Sequence, residues 1–520
     1  MEAPNCLTDR ASPGISATSH GSGKVVLDEV RSALAVKPAR GDRMRVSQKY
    51  KLKRKQAELD FVDVPLDTDL PVFVEPTAIR AMDTPWSSEC VALLQNFFSN
   101  VLSAVKKGDK ARAVSLLGSL NERNDFHLGY SSGESRGHAF GKGSAGSVWE
   151  SLLTSKAAKS GVLSDLEDTA LLIEGVGADM ISDAVCNIIR APLIEYTQDM
   201  CRYYGIPMVA NVSSGPCWDM QAQNWVARHV ELPMPKGESL VLVPKSIVRL
   251  AGAYDAGAYY RHYLLPELQK QHLASGSGLV EVLKSKKRRV TKTALMRHYG
   301  KNKDAVAKLT EDNPDVLAKY KKAKAADPSP PISNSAFAEI ENVPNVQLHD
   351  LYKEVVAVPP GRARAHDYER AVEGLLSALL YPSLIHPVRQ APINQGRKIV
   401  DLRFSNSATA GFFSWLSKHY TAPYVFVEFK NYTEDVKNPE LDQLSGRFSK
   451  SGGQVGILIC RAVSDRKKID AMCRDAAKDG RGYMIVLDDA DLETLVKSTT
   501  AMHYDASRTI LNDRFDQLVL

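Results

Sequence analysis

Apolar residues recur at helical spacing over residues 88–105. Val91, Leu93, Leu94, Phe97, Phe98, Val101 and Leu102 would share one face there and predict the first clear helix. A glycine-rich stretch at 129–146 interrupts the pattern. Helical spacing returns at 165–173 and 178–196, and a short apolar run at 239–243 predicts a strand. From 346 the rhythm changes. Helix 367–380 precedes strands 385–391 and 398–404, helix 411–419 and strand 424–430. Helix 439–449, strand 455–460, helix 465–478, strand 483–487 and helix 492–497 follow. Such alternation predicts a central sheet with helices on its faces.

These patterns divide the chain into five expected regions. Residues 1–60 are polar and basic and predict a disordered segment, with no continuous apolar core of a signal peptide in 1–24. Residues 61–273 predict a mostly helical α+β domain with a recognition or regulatory role. Residues 274–345 open on Ser-Gly-Ser-Gly, run through a lysine-rich stretch and reach Asp327-Pro-Ser-Pro-Pro331, which predicts a basic, partly helical linker. Residues 346–500 form the expected α/β domain, a central mixed sheet flanked by helices, and 501–520 a tail.

A length of 520 residues suits two to four domains, and 44% hydrophobic with 25% charged residues is the balance of a soluble globular protein. No apolar run approaches the roughly 18 residues that cross a bilayer, so no membrane association is expected. The seven cysteines are scattered, odd in number and never in a CxxC pair, which suits a reducing cytoplasm better than a disulfide framework or a zinc site. The net charge of +6 is mild, but basic residues gather at 43–55 and 284–324. Clustered cations can neutralise phosphates, which makes nucleic acid a candidate partner; such runs also occur as solvated linkers. They do not separate DNA from RNA.

The candidate chemistry lies in strand 424–430. Its two-residue period puts Phe426, Glu428 and Lys430 on one face, and Val425, Val427 and Phe429 on the other. Apolar on both faces at its start, it reads as a central, doubly covered strand. Charges at the end of such a strand are costly unless paired or holding a metal. Strand 398–404 repeats the feature with Asp401. If the two strands are neighbours, Asp401 and Glu428 converge as an oxygen-rich site for Mg²⁺, with Mn²⁺ as the alternative. Lys430, two residues on, could orient a water or stabilise charge on a scissile phosphate.

The order of these parts resembles the PD-(D/E)XK nuclease superfamily, and within it the Mrr-like restriction endonuclease branch. Over about 367–497 the matching parts are an opening helix with Tyr368-Glu369, Gly396 leading into the Asp401 strand, Glu428-Phe-Lys430-Asn431-Tyr432, and a helix bearing Gln443. The resemblance implies a restriction-endonuclease-like domain in which Asp401 and Glu428 bind the metal and Lys430 serves the attacking water. It implies an auxiliary acid at Glu369, with Glu373 on the same helix as the alternative, and an orienting role for Gln443. Two departures stand. Val400 replaces the usual proline, and the gap between Asp401 and Glu428 holds a helix.

The expected function is therefore a metal-dependent DNA endonuclease, restriction-like or directed against foreign DNA. A homodimer is the expected assembly, since cutting both strands of a duplex needs two sites. The alternatives are a non-catalytic nucleic-acid-binding or signalling protein on the same scaffold, and a repair or RNA nuclease. Gly141 to Gly146 matches GxGxxG formally but lacks the leading strand and ribose-binding acid of a dinucleotide site. Asp179 and Asp183 share a helical face, where Asp183 could equally cap or pair with Arg190. His127, His138 and His298 show no zinc spacing.

Overall fold

Strands whose two faces are both apolar are stable only under a cover on each side, and the C-terminal half is built on that rule. The computed structural model describes residues 43–120, 123–129, 151–153, 155–393, 398–432, 434–501 and 510–520. The Gly141–Gly146 motif and His138 lie outside them.

The N-terminal half centres on α1 (Pro85–Lys107), α2 (Ala178–Ile188) and α3 (Arg190–Tyr204). Thr84 caps α1, and Gly108 ends it in the left-handed conformation at φ 71°. A long hairpin follows, β1 (Val209–Asp219) paired with β2 (Asn224–Leu232). The expected strand at 239–243 is not one. Leu240, Val241, Leu242 and Val243 are buried, but their backbone bonds go to scattered partners, Val241 N–H to Asp125 and the Val243 carbonyl to Val62. An apolar run reports burial here, not a ladder.

Residues 43–60, expected to belong to a disordered lead-in, are folded from Arg43 onward. Val46, Leu52 and Leu59 are buried in the core, each separated by polar residues that conceal the pattern. Residues 274–345 are likewise packed and not a tether. A small hairpin, β3 (Glu281–Val282) with β4 (Arg288–Arg289), leads into α4 (Lys292–Tyr299), α5 (Lys303–Asp312) and α6 (Pro314–Ala326). Buried Tyr320 of α6 meets the rings of Tyr254, Tyr259 and Tyr263 at 5.4, 5.2 and 5.0 Å. Lys303 donates to the carbonyls of Ile173 and Val176. Lys321 of α6 pairs with Asp168 at 3.1 Å, so part of the lysine-rich stretch ties into the N-terminal half.

After α7 (Leu348–Ala357), α8 (Ala365–Leu380) opens the α/β part. Then come β5 (Leu384–Ile393), β6 (Lys398–Asn406), α9 (Gly411–His419), β7 (Tyr424–Lys430), α10 (Asn438–Ser445), β8 (Val455–Cys460), α11 (Arg466–Lys478), β9 (Tyr483–Leu487) and α12 (Asp489–Ala501). The five strands form one mixed sheet in the order β9-β8-β7-β6-β5. β5–β6 and β6–β7 are antiparallel, β7–β8 and β8–β9 parallel. The fold is thus mixed α/β, with the expected central sheet and many helices.

The expected tail carries α13 (Ile510–Val519), which returns to cover the β9 edge. Its fully buried Phe515 sits among Tyr420 at 4.8 Å, Tyr483 at 5.4 Å and Trp415 at 5.6 Å between ring centroids. Phe515→Ala is expected to lower the unfolding free energy by about 3–5 kcal/mol, read as a shifted denaturant midpoint at unchanged slope.

Arg43–Leu520 forms one compact unit. A charge cluster joins its halves. Arg54 bonds Glu58 at 2.8 Å and lies 3.7 Å from buried Glu373 of α8; Arg389 of β5 meets the same carboxylate at 2.6 Å, and Tyr203 of α3 donates to it.

Candidate active site

Leu402 pairs with Val427, Arg403 with Phe426 and Ser405 with Tyr424 across β6 and β7. One further step of that register sets Asp401 opposite Glu428, with both side chains on one sheet face. The helix in the intervening chain, α9, does not separate the strands. Asp401 replaces the next ladder bond, its Oδ2 accepting from the backbone N–H of Phe429 at 3.1 Å.

Glu428 is completely buried, and its partners are all side chains. Gln443 of α10 donates through Nε2 to Glu428 Oε2 at 2.9 Å, while its Oε1 accepts from Lys430 Nζ at 3.2 Å. The amide therefore bridges acid and ammonium, which stand 3.9 Å apart. Arg447 approaches the other Glu428 oxygen at 3.4 Å. Arg447 was not foreseen from sequence; its only signal is that it stands four residues beyond Gln443.

Burial pushes the Glu428 carboxyl up to about 7, and the charge and hydrogen bond of Asp401 add to it against the opposing pull of Lys430 and Arg447. Glu369 lies on the same side. Its carboxyl is raised by burial and by the charge of Asp401, and His366 lies 3.6 Å from it. Glu373, the alternative on the same helix, is committed elsewhere, to Arg389, Arg54 and Tyr203. Tyr368 is buried, donating to Asp489 at 2.9 Å under Arg461. Asp401, Glu428, Lys430, Gln443 and Glu369 therefore gather where the β6–β7 pairing ends.

Among the described residues no group of three or more His, Cys, Asp or Glu is arranged to hold a metal ion. Two adjacent carboxylates nevertheless fit Mg²⁺, which keeps several waters and binds through one or two carboxylates plus substrate oxygens.

The folded value of Glu428 lies above the ordinary one, so its contribution to stability is present below about pH 4.5 and lost as pH rises through about 7. In EDTA, Glu428→Gln should melt higher than wild type at pH 8 and no higher at pH 4.5. Added Mg²⁺ should raise the wild-type midpoint more at pH 8 than at pH 6, because the metal competes with the proton. A variant that melts lower than wild type at pH 8 in EDTA contradicts this reading of the site.

The other sequence candidates lie apart from it. Arg190 pairs with Asp125 and not with Asp183, and His127 lies 3.9 Å from Asp69. His298 packs edge-on against Tyr299. No helix among the described residues is long and apolar enough to cross a membrane.

Residues 51–255 match the model of a domain of unknown function, DUF8370. The five gathered residues lie beyond that span. No curated protein and no solved structure matches the chain.

Proposed function

We propose that the chain is a metal-dependent phosphodiester hydrolase acting on DNA, with a restriction-endonuclease-like domain at its C-terminal end. The observation that carries this reading is the meeting of Asp401, Glu428 and Lys430 on two neighbouring strands where their pairing ends, tied by Gln443. A bound Mg²⁺ would supply Lewis acidity toward the phosphate and lower the pKa of its water. Asp401 and Glu428 would hold it. Lys430, only 15% exposed and steered by Gln443, presents an ammonium group to the reacting phosphate and its attacking water. Glu369 adds negative charge beside Asp401, while Arg447 neutralises the far oxygen of Glu428. Cutting a duplex takes two such sites, so a two-fold dimer belongs to the proposal.

Its test is incubation of the full chain with plasmid, linear duplex DNA and RNA in Mg²⁺, Mn²⁺ or EDTA. Metal-dependent cleavage of DNA supports the reading, and intact substrates in every metal overturn it.

Lys284, Lys286, Lys287, Arg288 and Arg289 are all exposed on the β3–β4 hairpin. A charged ribbon of this kind suits the phosphate backbone. Replacing Lys286, Lys287 and Arg288 by glutamine should weaken DNA binding about equally for unrelated sequences. The slope of log K against log salt should fall by roughly 2–3, about 0.9 for each phosphate no longer neutralised. An unchanged slope would remove the hairpin from the DNA interface.

A further inference from the structure

A cavity of about 270 Å³ opens where the N-terminal half meets the sheet. Its walls are aromatic on both sides. Trp86 and Tyr196 come from α1 and α3, with ring centroids 6.4 Å apart, and the ring of His386 lies 5.6 Å from Tyr196. Tyr424 and Arg403 come from β7 and β6, the guanidinium stacked over the phenol at 4.5 Å. Arg403 Nε is buried and has no hydrogen-bond partner. Glu89, one turn into α1, supplies an acceptor at the mouth.

The occupant is narrowed by chemistry. A hydrocarbon would leave the buried Arg403 N–H unsatisfied, which is costly. A small anion would ignore three aromatic faces and meet the carboxylates of Glu89 and Asp60, which also line the space. A planar heteroaromatic ring satisfies both demands, stacking on the aromatic walls while its edge accepts from Arg403 and donates to Glu89. The volume falls just under the roughly 300 Å³ of the smallest drug-sized sites, which suits one base and not a dinucleotide.

Position strengthens this. Arg403 is two residues from Asp401 on the same face of β6, and Tyr424 four residues from Glu428 on the same face of β7. These steps correspond to about 7 and 13 Å along the strands. The cavity and the carboxylate pair are therefore two stations on one sheet face.

We propose that the cavity between Trp86–Tyr196 and Arg403–Tyr424 is a nucleobase-binding site. The base belongs either to a free nucleotide or to a strand engaged by the sheet face; the second source rests on the nuclease reading, the first does not.

The experiment uses the full chain in EDTA, where no cleavage occurs. Nucleoside monophosphates are titrated by calorimetry, and a single-stranded oligonucleotide carrying one 2-aminopurine by fluorescence. Both are repeated with Arg403→Gln and Trp86→Leu. Monophosphate binding weakened in both variants, by roughly five- to 150-fold as when one base loses its stacking partner, assigns a free nucleotide. A 2-aminopurine signal abolished in both variants, without monophosphate binding, assigns the base of a strand. No binding of either probe overturns the site. So does binding unchanged within twofold in variants that melt like wild type. Should Trp86→Leu unfold, Arg403→Gln at the cavity edge decides alone. Binding without cleavage in any metal would sink the nuclease reading and leave the cavity standing; cleavage without base binding would do the reverse.

Discussion

Asp401→Asn is expected to slow DNA cleavage by roughly a thousandfold while leaving the protein folded. The substitution removes one negative charge and hardly changes shape. The asparagine carbonyl can still accept from the Phe429 N–H that the aspartate holds at 3.1 Å, so the end of the β6–β7 ladder keeps its bond. What disappears is half of the carboxylate pair. Because Asp401 helps to push the Glu428 carboxyl up, the variant should also bring that group back toward its ordinary range, observable as a lower titration midpoint. Initial rates on supercoiled plasmid in Mg²⁺, with unfolding midpoints for each protein, check the first point. Lys430→Ala belongs in the same series and should show a comparable loss. Cleavage by Asp401→Asn within about tenfold of wild type would remove Asp401 from the chemistry.

A large effect on stability is also expected far from that site, at Arg190. Its side chain is fully buried, bonded to Asp125 and to the carbonyl of Ser214, and stacked over Phe126 at 5.4 Å. Arg190→Met keeps the bulk and strands a buried carboxylate, which typically costs about 3–5 kcal/mol. Arg123, 3.8 Å from Asp125 and 29% exposed, offers partial compensation and places the expectation toward the lower figure. For a cooperative unit of this size the melting midpoint should fall by about 3 °C. Adding Asp125→Leu should recover most of the loss, because the pair exchanged for apolar groups leaves nothing unpaired. A single variant within about 1 kcal/mol of wild type would show that Asp125 is satisfied without Arg190.

The α/β half was legible because its signals are local and repeated. The apolar runs at 424–430, 455–460 and 483–487 coincide with strands, and helix 411–419 has the bounds its spacing predicts. The meeting of Asp401 and Glu428 follows from register, which the alternation of both strands specifies. Other parts carried no such signal. β1 and β2 mix exposed, half-buried and buried positions with no regular alternation, so no apolar stripe announces the hairpin. Residues 43–60 bury a run in which Gln56, Glu58 and Asp60 are polar or charged, and Arg54 and Glu58 read as solvent-facing until Glu373 is placed beside them. The run at 239–243 misled for the opposite reason, since its burial comes from neighbours without a strand. Choosing Glu369 over Glu373 needed the tertiary partners of both, and no sequence spacing contains them.

The cluster of Arg54, Glu58, Tyr203, Glu373 and Arg389 has a consequence for how this chain could be recombined. Its members come from the N-terminal segment, α3, α8 and β5, and Glu373 owes its tolerance of burial to bases contributed by two other elements. The α/β part cut out and grafted elsewhere would take Glu373 with only Arg389, leaving Arg54 and Tyr203 behind. Exchanging one half for another would therefore break this cluster, whereas exposed loops can change without touching it.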